Sequence, residues 1–275
     1  MLIAAILFSA VLHATWNAIA KSIPDRLATS SLLGSTYFIV GAVGVALSPL
    51  PAPGAWAFIA CSSMIQAAYL LLLMASYQVG DFGQVYPIAR GLSPLVVSVV
   101  ALLVLGQRPS VLEIVGIALV CGGIGALVFV RGAPGLGRPQ LLAVATGCVI
   151  ATYSLLDGIG VRHSGGHPVA YAMWLFLLQG PLLVMIGLRS HGRRHLSTMS
   201  RYWRRGAVGG VLSLVSYGMV VWAQSREALA SVATVRETSV IFGAVIGWIV
   251  FHERLGPVRV LAAALVAGGV LAIAR

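Results

Sequence analysis

The chain has a single lysine, Lys21, and seven acidic residues among 275, and charged residues of all kinds make up 9% of it. A soluble domain keeps about a quarter of its residues charged, so no stretch here suffices to solvate one. Three cysteines, Cys61, Cys121 and Cys148, lie inside apolar runs without CxxC spacing. They make neither a disulfide framework nor a metal site and are read as small buried hydrophobes. Missing too are HExxH, GxSxG and the phosphate-binding loop with its lysine, so no enzyme motif is present. Basic residues outnumber acidic ones 18 to 7, a balance that suggests nucleic acid. Six of the arginines (Arg189, Arg193, Arg194, Arg201, Arg204, Arg205) fall in one interhelical segment, which argues instead for a topology anchor against anionic lipid headgroups. Nucleic-acid binding normally needs a soluble basic domain, so no nucleic-acid partner is expected.

What the chain has in abundance is apolar length, with 59% hydrophobic residues and a mean hydropathy of +0.96. A helix needs roughly 20 apolar residues to cross the hydrocarbon core. Ten such spans can be marked, over 2–20, 27–48, 55–79, 83–105, 110–130, 139–161, 168–188, 205–224, 228–251 and 257–274. The expected fold is therefore all-α, a polytopic membrane protein with short loops apart from 189–205. The first span resembles a secretory leader but lacks a basic residue ahead of its apolar run. It is read as the first transmembrane helix.

The sequence repeats itself. At an offset of 146, Arg90 aligns with Arg236, Ser93 with Ser239, Arg108 with Arg254, and Gly122-Gly123 with Gly268-Gly269; upstream, Gln78 meets Gln224 and Asp81 meets Glu227. At an offset of 140, His13, Asn17 and Ile19 align with Tyr153, Asp157 and Ile159. The halves, 1–131 and 132–275, meet in the Gly- and Pro-rich linker 131–139 (RGAPGLGRP), whose composition is that of a turn. Five helices per half is an odd number, so the second copy enters the membrane from the opposite side. Two inverted five-helix repeats follow, a construction typical of secondary transporters. With this count, twelve basic residues share one side of the membrane and Arg108, Arg162, Arg226 and Arg275 the other. The positive-inside rule then places both termini outside.

Arg90 and Arg236 each lie about eight residues into an apolar span, about 12 Å deep at 1.5 Å per residue. An unpaired arginine there costs several kcal/mol and is tolerated only beside a partner or a wet cavity. Two readings stand: a buried ion pair that fixes helix packing, or a pair that grips an anion, one guanidinium from each half, near the midplane. The planar fork suits carboxylate or phosphate. Gln78, Tyr86, Ser93 and Ser239 are the further candidates to line that site. Glu237 follows Arg236 directly and has Gly91 as its repeat mate; it is either a proton-coupling group or a counter-ion to one of the arginines. Asp157, nearer a helix end, is a second such candidate and could simply be wet. His13, one turn before Asn17 on the same face, reads as a hydrogen-bonded packing residue or a proton relay. Pro87 and Pro94 predict a kink in the fourth span that frees carbonyls near Arg90. Gly206 with Gly210, and Gly243 with Gly247, have helix-packing spacing. Tyr77 and Tyr86, near the arginine helix, are candidates to line a cavity that no spacing decides, and Trp56 and Trp222 are read as interface anchors.

The stretch 94–108 (PLVVSVVALLVLGQR), the Gly-rich 116–125, their second-half counterparts 242–254 and 265–271, and the opening 12–21 (LHATWNAIAK) together resemble the EamA-like family of the drug/metabolite transporter superfamily. The resemblance implies a permease of the cell membrane, of the bacterial inner-membrane type, that moves amino acids, sugars, drugs or other metabolites, mostly outward. It also implies cytoplasmic termini, against the charge count above. Members usually carry a glutamate in the turn before the last helix of each half. Glu253 matches it and Gln107 does not, which points to capping or packing at that position. The expectation is thus a secondary transporter, exporter or exchanger, of a small anionic or zwitterionic metabolite such as an amino acid or organic acid, working by alternating access. Its partners are the solute and membrane lipids, it acts as a monomer or homodimer, and it carries no cofactor or metal. The alternative is a membrane protein that transports nothing, a lipid-modifying enzyme or an assembly partner.

Overall fold

The structure, a computed structural model, describes residues 2–79, 82–103, 106, 110–129, 137–251 and 257–273. Among them there is no strand. The helices are α1 (Leu2–Ser22), α2 (Arg26–Leu47), a 3-10 turn (Pro53–Ala55), α3 (Trp56–Val79), α4 (Phe82–Leu103), α5 (Val111–Phe129), α6 (Arg138–Arg162), α7 (Pro168–His191), α8 (Arg193–Gln224), α9 (Leu229–Arg236), α10 (Ser239–Phe251) and α11 (Pro257–Ile273). Seven stretches among the described residues are long and apolar enough to cross a membrane. Asp81, Gln107, Arg108, Glu253, Arg254 and linker residues 131–136 lie outside the described residues, as do the side chains of Tyr86, Pro87 and Pro94.

Local chemistry sets the corners. Between α1 and α2, the Asp25 carboxylate accepts from the Ala28 amide at 2.9 Å and caps α2. Arg26 folds back to donate to the Ile23 and Lys21 carbonyls at 2.7 and 3.0 Å, covering acceptors that the end of α1 leaves open. At the α7–α8 corner Gly192 takes φ +56, a left-handed conformation that glycine adopts without steric cost.

The distribution of side chains is that of a protein in lipid. Ser9, Asn17, Thr29, Ser31, Ser62 and Ser76 are buried, whereas Ile39, Val43 and Leu47 of α2, Val208 and Val211 of α8 and Ile249 and Val250 of α10 face outward. Hydrocarbon gives apolar side chains no reason to hide, so helices associate through small residues and hydrogen bonds. Gly206 packs on Leu32 and Gly210 on Thr36, seating α8 against α2. Ser9 and Ser216 share hydrogen bonds between α1 and α8.

The packing has a twofold pattern. Exchanging α1 to α5 for α6, α7, α8, α9–α10 and α11 turns the α1–α8 contact into α6–α3, α2–α8 into α7–α3, and α4–α6 into the contacts of α9 and α10 with α1. The α2–α7 and α5–α11 pairs map onto themselves.

Two sequence expectations are corrected. The segment 189–205, expected as a loop, is helical except for its corner: α7 continues to His191 and α8 begins at Arg193. Arginine is a good helix former, so a basic run need not unwind. The ninth span is not one helix but two, interrupted at Glu237 and Thr238.

Candidate functional site

The break between α9 and α10 contains neither glycine nor proline. Its backbone tightens into bonds to the third residue back: Glu237 N–H to Thr234 O at 3.0 Å, Thr238 N–H to Val235 O at 3.2 Å and Val240 N–H to Glu237 O at 2.9 Å. The Thr238 hydroxyl donates to the same Val235 carbonyl at 2.9 Å. This turn carries Arg236, Glu237, Thr238 and Ser239, all buried.

From α4, Arg90 meets the turn. Its Nη2 lies 2.8 Å from one oxygen of Glu237 and its Nε donates to the other at 3.0 Å. The pair is one hydrogen bond and one ion-pair contact, and the two side chains are 2% and 1% exposed. Glu237 is thus ion-paired with Arg90 rather than with Arg236, its neighbour in the chain.

Arg236 is held differently. Its guanidinium lies 6.0 Å from the centre of the Tyr217 ring of α8, at the outer limit of a cation–π contact, and Tyr153 of α6 is within hydrogen-bonding reach. Arg236 directly precedes Glu237, which Arg90 holds, so the three charged residues form one buried cluster at this turn. Among the described residues, Arg90 Nη1 and Nη2 and Arg236 Nε are buried donors without a hydrogen-bond partner, the 2.8 Å approach of Nη2 to Glu237 being an ion-pair contact off the hydrogen-bond direction.

Tyr217 joins this cluster to a second one. Its hydroxyl donates to Asp157, which also accepts from Gln66 Nε2 at 2.8 Å and the Tyr171 hydroxyl at 2.9 Å; Ser62 is in reach as well. Asp157 was open to being a wet, near-interface acid. It is instead fully buried and surrounded by donors. The length of α6, which continues to Arg162, puts Asp157 more than one turn inside the helix end.

The same link occurs in the first half. Tyr77 of α3 donates to Asn17 Oδ1 of α1 at 2.9 Å, as Tyr217 of α8 donates to Asp157 of α6. Asn17 with Asp157 and Tyr77 with Tyr217 are each 140 residues apart. Sequence reading missed this second pair, although the offset found for Asn17 and Asp157 reaches it directly. It missed Gln66, Ser62 and Tyr171 too, for which no repeat mate gives a signal.

His13 accepts from the Trp16 indole at 3.3 Å, and its backbone carbonyl receives the Asn17 amide at 2.8 Å. Ser93 and Ser239 are buried beside the arginines in sequence, while Gln78 sits exposed at the end of α3. Gln224, its expected counterpart, is buried and donates to the Ser154 carbonyl at 3.2 Å.

The family model described as EamA-like transporter family matches residues 138–275. No curated protein matches the chain. One solved crystal structure of a protein, 16% identical, covers 98% of this chain and 98% of its own with a TM-score of 0.68, which is a likeness of fold.

Proposed function

The chain belongs to the EamA-like transporter family, an integral membrane family of small-solute transporters within the drug/metabolite transporter superfamily, and on that premise we propose that it moves a small carboxylate-bearing solute, such as an amino acid or organic acid, by alternating access. The observation that carries this reading is the composition of the buried cluster. It holds two guanidiniums, Arg90 with two donor nitrogens and Arg236 with one that make no hydrogen bond among the described residues, and among those residues only Glu237 is ion-paired with either. A buried cation that lacks a full counter-charge is costly. An anionic solute supplies what is missing.

The twofold pattern of helix contacts supports an arrangement of ten spans in two inverted repeats, divided near 131. In such an arrangement Arg90 and Arg236 are mates about the axis, and a discontinuous helix beside the site is the usual hinge of a transporter. Export or exchange is the direction that the family resemblance favours. Asp157 holds its four donors in place and so positions Tyr217 beneath Arg236.

The test is solute counterflow in proteoliposomes, with a panel of amino acids and small organic acids on both sides. Arg90→Gln and Arg236→Gln each keep the side-chain length and lose the charge. Flux of the accepted solute is expected to fall to background in both, with folding checked by gel filtration. Folded variants that both transport at the wild-type rate would end the proposal.

A further inference from the structure

Glu237 holds Arg90 as a free carboxylate would hold it. One edge of the guanidinium meets both carboxylate oxygens, with an Nε–H hydrogen bond of 3.0 Å to one and an Nη2 ion-pair contact of 2.8 Å to the other, the edge by which arginine receives this group. Yet the fold does not require an acid there, since the repeat mate of Glu237 is Gly91 and the scaffold holds its second arginine, Arg236, with tyrosines. The carboxylate also hangs from the one interruption in the ninth span, where the backbone bonds already skip the α-helical ladder. It can leave Arg90 without breaking a helix. It cannot leave Arg90 bare, because a buried guanidinium stripped of its counter-ion is strongly disfavoured. Only another anion arriving at the fork makes the departure affordable.

We infer that Glu237 is a tethered stand-in for the solute: its carboxylate fills the Arg90 fork in the empty protein, and an entering solute carboxylate displaces it. This deepens the reading of the site given above and rests on it. Arg236, next to Glu237 in the chain, buried and with Nε free of a hydrogen-bond partner among the described residues, receives the displaced side chain. Selection for carboxylates over other anions follows, because the fork is already shaped around one. The site can then empty only when Glu237 returns, which makes return of the side chain part of every cycle.

Acetate, the smallest analogue of the Glu237 side chain, is the probe. The full-length protein in detergent is melted across a sodium acetate series, with sodium chloride of equal ionic strength as the blank. An internal competitor lowers the fraction of forks open to acetate, so the half-maximal concentration in Glu237→Gln is expected to be about tenfold lower than in the wild type. In the double variant with Arg90→Gln the acetate response disappears. Glu237→Asp, which shortens the tether and keeps the charge, gives a midpoint between the two and serves if Glu237→Gln does not fold. Equal midpoints in wild type and Glu237→Gln, or in wild type and Glu237→Asp where that variant must serve, overturn the inference. So does an acetate response that survives loss of Arg90. If those failures come while Arg236→Gln still abolishes counterflow, the stand-in role falls alone. Normal counterflow by both arginine variants removes the site itself.

Discussion

The two tyrosine links give the same hydrogen bond two different acceptors, and magnitude separates them. Tyr77 donates to the neutral amide of Asn17 and Tyr217 to the carboxyl of Asp157. A neutral side-chain bond between membrane helices contributes about 0.6 kcal/mol, whereas one to a charged group contributes about 1.5–3 kcal/mol. Tyr77→Phe is therefore expected to lower unfolding stability slightly and Tyr217→Phe severalfold more, measured by denaturation in mixed detergent. In an Asp157→Asn background, where the second copy acquires the first copy's chemistry, the cost of Tyr217→Phe should drop to that of Tyr77→Phe. Equal losses in the wild-type background would mean that Asp157 is not a charged acceptor. At this scale the sequence was informative in a specific way. Arg90, Arg236 and Asp157 stand out because ionised groups in lipid-length helices must have partners. Gln66 and Tyr171, which supply the partners, look like any other polar residue until the helices are packed.

Among whole elements, legibility followed apolar length. Helices such as α2 and α3 end where apolar runs end, within a few residues of the expected limits. The α9–α10 interruption was hidden because no breaker residue marks it; the turn is held by its own backbone bonds to the third residue back and by the Thr238 hydroxyl on the Val235 carbonyl. The helical start of α8 was hidden for the opposite reason, since polarity was taken for absence of structure. The paired glycines show a finer limit. Gly122-Gly123 and Gly268-Gly269 look equivalent in sequence, but the second of each pair lies at the α5–α11 crossing. A Cβ on Gly123 would come 2.9 Å from the Ala262 carbonyl, and one on Gly269 would come 2.5 Å from the Gly116 carbonyl. On Gly122 and Gly268 it would meet nothing within 4 Å among the described residues. Gly123→Ala and Gly269→Ala should destabilise by about 1–3 kcal/mol through overpacking. Gly122→Ala and Gly268→Ala should stabilise by about 0.5–1 kcal/mol through helix propensity. The opposite signs are read by the same denaturation measurement, and like signs would contradict the crossing.

At the scale of the whole molecule, the two ends of the bundle carry different charge. The Ser31–His195 hydrogen bond of 2.8 Å ties the start of α2 to the start of α8, so Lys21, Arg26 and the arginines of 189–205 gather at one end. At the other end the Ser231 hydroxyl donates to Glu113 at 2.7 Å, and Arg162 donates to the Glu227 backbone carbonyl at 2.6 Å. There Glu113, Glu227 and Ser231 line a cavity of about 310 Å³ with Leu2 and Ile3 of the first helix. Acidic groups and the start of α1 thus share the end opposite the basic cluster. The basic end belongs on the cytoplasmic side, because positive loops resist translocation and meet anionic lipid there. Both termini are then expected outside, in conflict with the cytoplasmic termini that the family resemblance implies. A reporter enzyme that needs disulfides, fused after Arg275, would be active only in an oxidising compartment. Activity there and none in a fusion after Gly192, in the α7–α8 corner, is the expected result. The reverse pattern would show that the charge bias of this chain does not set its orientation, and that the cavity beside Glu113 opens to the cytoplasm.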